Sequence, residues 1–234
     1  MELVKPAIGL VFWMLLFFSI IFLILKKFAF PAILKALKQQ GQPVIDLEAL
    51  ASHKGSAFGN LGMPPQPSQE MFENKLALRL LTERQQQEET PGSADPSFPP
   101  IWLEDESQRI GHVNIPQPFW QNMRRSPVYF LDIPFEKRLQ NIVADYGALD
   151  RQRMIAAIER IAKRLGPLES KTAIRQLEEG AVEDSFRILL RYYDKQYLKG
   201  MHNREDLAAL LTNISCDDVS LENAALLSQA QIPT

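Results

Sequence analysis

Apolar residues follow two different patterns along this chain. From Ala7 to Leu25, nineteen consecutive residues (AIGLVFWMLLFFSIIFLIL) carry no charge, and Lys26 and Lys27 close the run. At about 1.5 Å rise per residue, such a run is long enough to cross a hydrocarbon core as one helix. Beyond residue 40 the apolar positions come in short clusters separated by glycine, proline and charge, as in a folded α/β domain. Val44-Ile45-Asp46-Leu47 reads as a short buried strand, Pro100-Ile101-Trp102-Leu103 as a second and Pro127 to Asp132 as a third.

Helical spacing dominates elsewhere. Ser68 is expected to open a helix through about Arg84, and residues 85–99 form a polar, proline-bearing connection. From Phe135 the pattern predicts helices over about 135–146, 150–165, 170–179 and 182–199. In the second of these, Ile155, Ile158, Ile161, Ala162 and Leu165 recur at three- and four-residue steps. Residues 205–234 read as a weak helix and a polar tail. Strands alternating with helices imply a parallel sheet covered on both faces.

Charge sharpens the division. Of the 26 basic and 28 acidic residues, five lysines and one glutamate lie in residues 1–38, leaving 21 basic and 27 acidic in the remainder. Lys26, Lys27, Lys35 and Lys38 all follow the apolar run, so the positive-inside bias places the C-terminal part in the cytoplasm. The run is too long, and its front end too little basic, for a cleaved signal peptide. The expectation is a single-pass inner-membrane protein held by residues 7–25. A net acidic domain needs a local basic patch to contact nucleic acid. One cysteine, Cys216, excludes an internal disulfide and a CxxC zinc site. His53, His112 and His202 lack metal-ligand spacing, so no metal is assigned.

Three features bear on chemistry. Glu104-Asp105-Glu106 directly follows a hydrophobic strand, where α/β folds place carboxylates that hold a cation or orient water. It also reads as an acidic strand-to-loop turn. Gly166-Pro-Leu-Glu-Ser-Lys171-Thr172 is one residue short of a phosphate loop, lacks its second glycine and follows a helix, so it is rejected as one; Ser170 is expected as a helix N-cap. Arg187, Arg191, Lys195 and Lys199 form a basic stripe on helix 182–199, to which Arg124, Arg125, Arg160, Lys163, Arg164, Lys171 and Arg175 could add. It can track RNA phosphates with Tyr192, Tyr193 or Tyr197 stacking on bases, or be a solvated face with half-buried tyrosines.

The N-terminal words LVKPAIGLVFWMLLFFSIIFLILKKFAFPAIL resemble the start of the b subunit of F-type ATP synthases, over about residues 1–37. That resemblance implies a stator partnered with other synthase subunits and, after the span, a long uninterrupted helix. Gly41, Pro43, Pro64, Pro65 and Pro67 break any such helix.

The words IDLEALASHKGSAFGNLGMPPQPSQEMFEN, IWLEDESQRIG, LDIPFEKRL, LESKTAIRQLEEG and RILLRYYDKQYLKG, between about residues 33 and 204, resemble the C-terminal P-loop domain of bacterial tRNA 2-selenouridine synthase. The resemblance implies an enzyme that exchanges sulfur for selenium in wobble 2-thiouridine of tRNA, with selenophosphate and geranyl diphosphate as co-substrates. It places Asp46, Glu48, Glu104, Asp105, Glu106 and Arg109 in acidic words of the site. Lys171, Thr172 and Arg175, together with Arg124, Arg125, Arg187, Arg191 and Lys195, become candidates for phosphate or tRNA contact. The family's rhodanese-like domain and Walker A loop find no counterpart here, and the two resemblances meet at Ala32-Ile33-Leu34-Lys35-Ala36-Leu37. The expectation is therefore a truncated P-loop-type α/β domain (39–204) with a C-terminal tail (205–234), fused to a transmembrane anchor (1–38) and inactive alone.

Overall fold

Two short parallel pairings organise the α/β part of the chain. The computed structural model describes residues 32–88, 100–218, 223, 226 and 227, which belong to the unit Ala32–Thr234. The apolar run at 7–25 lies outside the described residues. Among the described residues no helix is long and apolar enough to cross a membrane.

In chain order the elements are α1 (Ala32–Gln39), α2 (Leu47–Ala51), α3 (Gln69–Glu88), β1 (Arg109–Ile110), β2 (Val113–Asn114), α4 (Gln117–Arg125) and β3 (Val128–Asp132). They continue as α5 (Phe135–Tyr146), α6 (Arg151–Leu165), α7 (Pro167–Glu178), α8 (Val182–His202), α9 (Leu207–Leu210) and β4 (Leu211–Ser215). This is the mixed α/β architecture that the alternation of strand and helix words implies. The parallel sheet is small: β3 pairs with β4 from Val128↔Leu211 to Asp132↔Ser215, and a separate parallel bridge joins Val44 to Trp102.

Several boundaries differ from the sequence reading, each for a local reason. The strand expected at 44–47 contributes only Val44, because Asp46 turns the chain into α2 by accepting the Ala49 N–H at 2.6 Å. The segment 100–103 is likewise reduced to its Trp102 bridge, made by Ile45 N–H to Trp102 O and Trp102 N–H to Pro43 O. Ser68 does cap α3, its hydroxyl accepting the Met71 N–H, but that helix runs on to Glu88. Ser170 is not an N-cap. Pro167 fits the first helical position, where no N–H is needed, so α7 begins three residues earlier and Gly166 caps it at φ +110°. Ser170 instead donates to Gly166 O at 2.6 Å from inside the helix.

The stretch expected as weak helix and tail supplies β4. Its pattern Leu211-Thr212-Asn213-Ile214-Ser215 has strand alternation, but its partner is distant in sequence. The hairpin β1–β2 also escaped the reading. It is only two residues per arm, with Gly111 at φ +64° in the two-residue tip. A β-carbon on Gly111 would stand 2.0 Å from Gln66 Oε1. Gln66 needs that room because it ties the tip down: its amide donates to Ala51 O and Ile110 O, and its oxygen accepts the His112 N–H.

Three apolar clusters hold these pieces. The helical one packs Met154, Ile155, Ile158 and Ile161 of α6 with Leu177, Phe186, Leu189 and Leu190 of α7 and α8, and it reaches Phe58 and Leu61. Each such side chain contributes roughly 1.5–3 kcal/mol by leaving water. A second cluster joins Ile45, Leu47, Phe72, Ile110, Val113 and Met123, the third Leu34, Leu37, Val44 and Leu227, with Trp102, Tyr129 and Ile214 packed against it.

Candidate functional site

The Val44–Trp102 bridge sets the site, because it aligns the two acidic words that follow it. Asp46 and Glu48 leave one segment; Glu104, Asp105 and Glu106 leave the other. Leu47 N–H donates to Glu104 Oε2 at 2.9 Å, which fixes the register of the words. Asp46 then meets Glu104 side chain to side chain, and Glu48 meets Glu106. Asp46 and Glu106 are each only 8 % exposed.

Four carboxyls this close and this buried cannot all be ionised. Burial is the main cause that raises them; the partner raises Glu48 and Glu104 further, while its hydrogen bond lowers Asp46 and Glu106. Glu48 is pushed up to about 8 and Glu104 to about 9, while Asp46 and Glu106 are raised as well. Each pair as a unit keeps a proton at neutral pH. The site can therefore offer both a carboxylate acceptor and a carboxylic acid donor, the combination that acid–base work or recognition of a donor-bearing ligand requires.

Basic and aromatic groups frame the Glu48–Glu106 pair. Lys54 lowers the Glu48 carboxyl and stands with Nζ 5.0 Å from the centre of the Tyr146 ring. Tyr193 is half-buried and its hydroxyl accepts the Ala57 N–H at 3.1 Å. Burial raises the Tyr197 hydroxyl, and the charges of Glu106 and Glu48 raise it further. The residue as a whole is 58 % exposed, so its ring is open to solvent while its hydroxyl end lies toward the carboxyls. Of the three tyrosines on the helix, Tyr192 and Tyr193 pack against the helical core, and Tyr197 alone of them stays open.

Asp105 belongs to neither pair. It is held by Arg204, which also donates to the carbonyls of Arg124 and Met123. Arg109, on β1, is exposed and its guanidinium donates to the hairpin tip at Gly111 O. Among the described residues no group of three or more His, Cys, Asp or Glu is arranged to hold a metal ion.

The basic candidates are spread over three helices and differ in how free they are. Arg124 donates to Gly200 O and lies over the Trp120 ring, and Arg187 pairs with Glu136 and Glu183. Arg175 sits 4.0 Å from Glu179. Arg191 is exposed over Phe135, and Arg125, Lys171 and Lys195 are exposed, with Thr172 half-buried beside Lys171. Sequence reasoning missed Lys54, Gln66, Tyr146 and Arg204. Only the glycine-rich context of Lys54 signalled anything local; Arg204 has no signal near it.

Comparison with known proteins places the chain in a family. The family profile of the tRNA 2-selenouridine synthase AAA domain matches residues 32–156, which include both acidic words. The chain belongs to that family. A tRNA 2-selenouridine synthase of Nitrosomonas eutropha is 38 % identical over 135 residues, covering 58 % of this chain and 31 % of that protein. One of Marinobacter nauticus is 35 % identical over 195 residues, covering 70 % of this chain and 49 % of the relative. One of Bdellovibrio bacteriovorus is 43 % identical over 113 residues, covering 48 % and 27 %. The chain thus spans between about a quarter and a half of these curated relatives. No solved structure matches it.

Proposed function

We propose that the folded part of this chain is a tRNA-binding module of the 2-selenouridine synthase family that does not, by itself, exchange sulfur for selenium. The observation that carries the reading is the family match over the segment where the two acidic words converge. The exposed cations Arg109, Arg125, Lys171, Arg191 and Lys195 supply phosphate contacts, and the exposed Tyr197 ring offers a base a stacking face. Chemistry on sulfur or selenium calls for a reactive nucleophile, and the chain's one cysteine is a poor candidate. Cys216 is 8 % exposed, and burial raises its thiol, with Asp218, Asp217 and Asp132 adding to the effect.

Titrating the purified chain with tRNA bearing wobble 2-thiouridine at several salt concentrations tests this. Binding should weaken steeply with salt, by roughly one unit of log–log slope per phosphate contacted. Nucleoside mass spectrometry after incubation with selenophosphate should show no 2-selenouridine. Failure to bind at low salt, or appearance of the product, overturns the reading.

Residues 7–25 are proposed as a membrane anchor that leaves the α/β domain in the cytoplasm. Its support is the uncharged run and the lysines after it. Retention in the carbonate-washed membrane fraction, with a peptide spanning residues 28–54, is the expected result; recovery in the soluble fraction removes the proposal. A stator role like that of the ATP synthase b subunit fits less well, since α1 stops at Gln39 and α2 is only Leu47–Ala51.

A further inference from the structure

Asp46 and Glu104 each have one oxygen bonded to a backbone amide and one that is not. Asp46 Oδ1 accepts from Ala49 and Glu104 Oε2 from Leu47, while Asp46 Oδ2 and Glu104 Oε1 are buried with no donor. Two donorless buried oxygens on facing carboxyls are satisfied at once by a single shared proton; without it, each is an unpaired acceptor beside a like charge. Two residues further along each segment, Glu48 and Glu106 form a second side-chain pair.

The second pair has a loop seated on it. Gly55, at φ +63°, approaches so closely that a β-carbon there would stand 2.7 Å from both Glu106 oxygens. Four residues later Gly59 closes on the His53 ring, where a β-carbon would be 2.6 Å from Cε1. At Gly55 the loop backbone therefore lies directly against Glu106 with no side chain between them, and at Gly59 the loop closes on its own His53.

We propose that the Asp46–Glu104 and Glu48–Glu106 pairs are a double proton-held latch, which joins the turn at 46–48 to the turn at 104–106 and seats the loop 53–59, and which opens when its protons leave. Each pair gives one proton to solvent and passes from one negative charge to two. The groups facing the latch set when this happens. Lys38 lies near Asp46 and Lys54 near Glu48, both favouring ionisation; Asp105 beside Glu106 and the phenols of Tyr146 and Tyr197 complete the surroundings. Burial outweighs the lysines, and Glu48 and Glu104 reach about 8 and about 9. The latch is closed at neutral pH and opens in mild alkali. Lys54, carried on the loop, would leave the Tyr146 ring as it opens.

Hydrogen exchange on the full chain, corrected for intrinsic rates, tests the latch. Protection at Leu47 and across 53–59 should fall at least tenfold between pH 7 and 9.5, while the α6 core around Ile158 keeps its protection. Glu104→Gln with Glu106→Gln replaces the shared protons by permanent donors and should abolish the loss. Flat protection in the wild-type chain, or an unchanged loss in the double variant, overturns the proposal. A carboxyl-carbon NMR titration of the wild-type chain gives the answer even where that variant does not fold. Midpoints above pH 7 for one carboxyl of each pair support the latch, and midpoints below 7 throughout sink it.

Discussion

Arg204 grips Asp105 through two parallel hydrogen bonds of 2.8 and 2.9 Å, from a side chain that is only 1 % exposed. The two residues lie 99 positions apart, and the same guanidinium donates to the carbonyls of Met123 and Arg124. One buried side chain thus ties the end of the acidic word, the end of α4 and the turn after α8 to each other. Arg204→Ala leaves Asp105 and the Arg124 carbonyl without the donor Arg204 supplies, while Met123 O keeps the Ser126 N–H. Because Asp105 keeps partial access to water, the loss should be about 2–4 kcal/mol rather than more. Arg204→Lys should recover less than half of it, since an ammonium cannot reproduce the planar fork. Denaturant unfolding of both variants checks the order.

Stability should fall as pH rises from mild acid into mild alkali. Glu48 and Glu104 have folded-state values of about 8 and about 9 against 4.5 for the free side chain. The folded chain binds more protons than the unfolded one across that window. Their contribution is fully present below about 4.5 and is lost as pH climbs through the folded-state values. Each group contributes a slope of up to about 1.4 kcal/mol per pH unit. Melting temperatures measured from pH 5 to 9.5 should decline, and Glu104→Gln should flatten the curve.

Gly111→Ala should be costly for a small change. Its β-carbon would stand 2.0 Å from Gln66 Oε1, at a φ of +64° that side chains rarely adopt. A loss of about 1–3 kcal/mol is expected from strain and from displacing the Gln66 contacts to Ala51, Ile110 and His112. Gln66→Ala, read by the same thermal melt, should cost less than the glycine substitution, because it creates no clash.

Cys216 should react slowly with iodoacetamide in the folded chain and at the rate of a free thiol in denaturant. A protection factor above about tenfold is expected from its burial and raised thiol. Equal rates would show the thiol to be accessible and would reopen the case for chemistry at this residue.

In the helical core, Ile158→Ala should destabilise the chain by about 2–5 kcal/mol, since Ile158 is fully buried among Leu177, Phe186 and Leu189. Chemical denaturation reads this directly.

Periodicity carried far where burial repeats locally. The spacing of Ile155, Ile158 and Ile161 located α6 to within a residue, and Pro134 and Gly147 bounded α5 at Phe135–Tyr146. It failed where distant partners decide. Leu211–Ser215 is a strand because β3 lies beside it, and Ser170 is interior because Pro167 starts its helix earlier. The acidic words were legible as words, but their pairing was not. That Asp46 meets Glu104 depends on a bridge between Val44 and Trp102, which no local pattern encodes. Arg204 was invisible for the same reason: an arginine in a polar turn has every appearance of a solvated one.

The pairing of β3 with β4 also sets an order of events. Val128 is made long before its neighbour Leu211, with the whole of α5 to α9 between them. During synthesis the helices can gather locally, but β3 must wait for its partner until β4 has left the ribosome. A nascent chain paused within α8 would present the edge that β4 later covers to any other extended segment nearby. The interval between helix assembly and strand closure is then the chain's period of greatest exposure to misassociation, and its length is set by translation speed rather than by the strength of any contact in the finished fold.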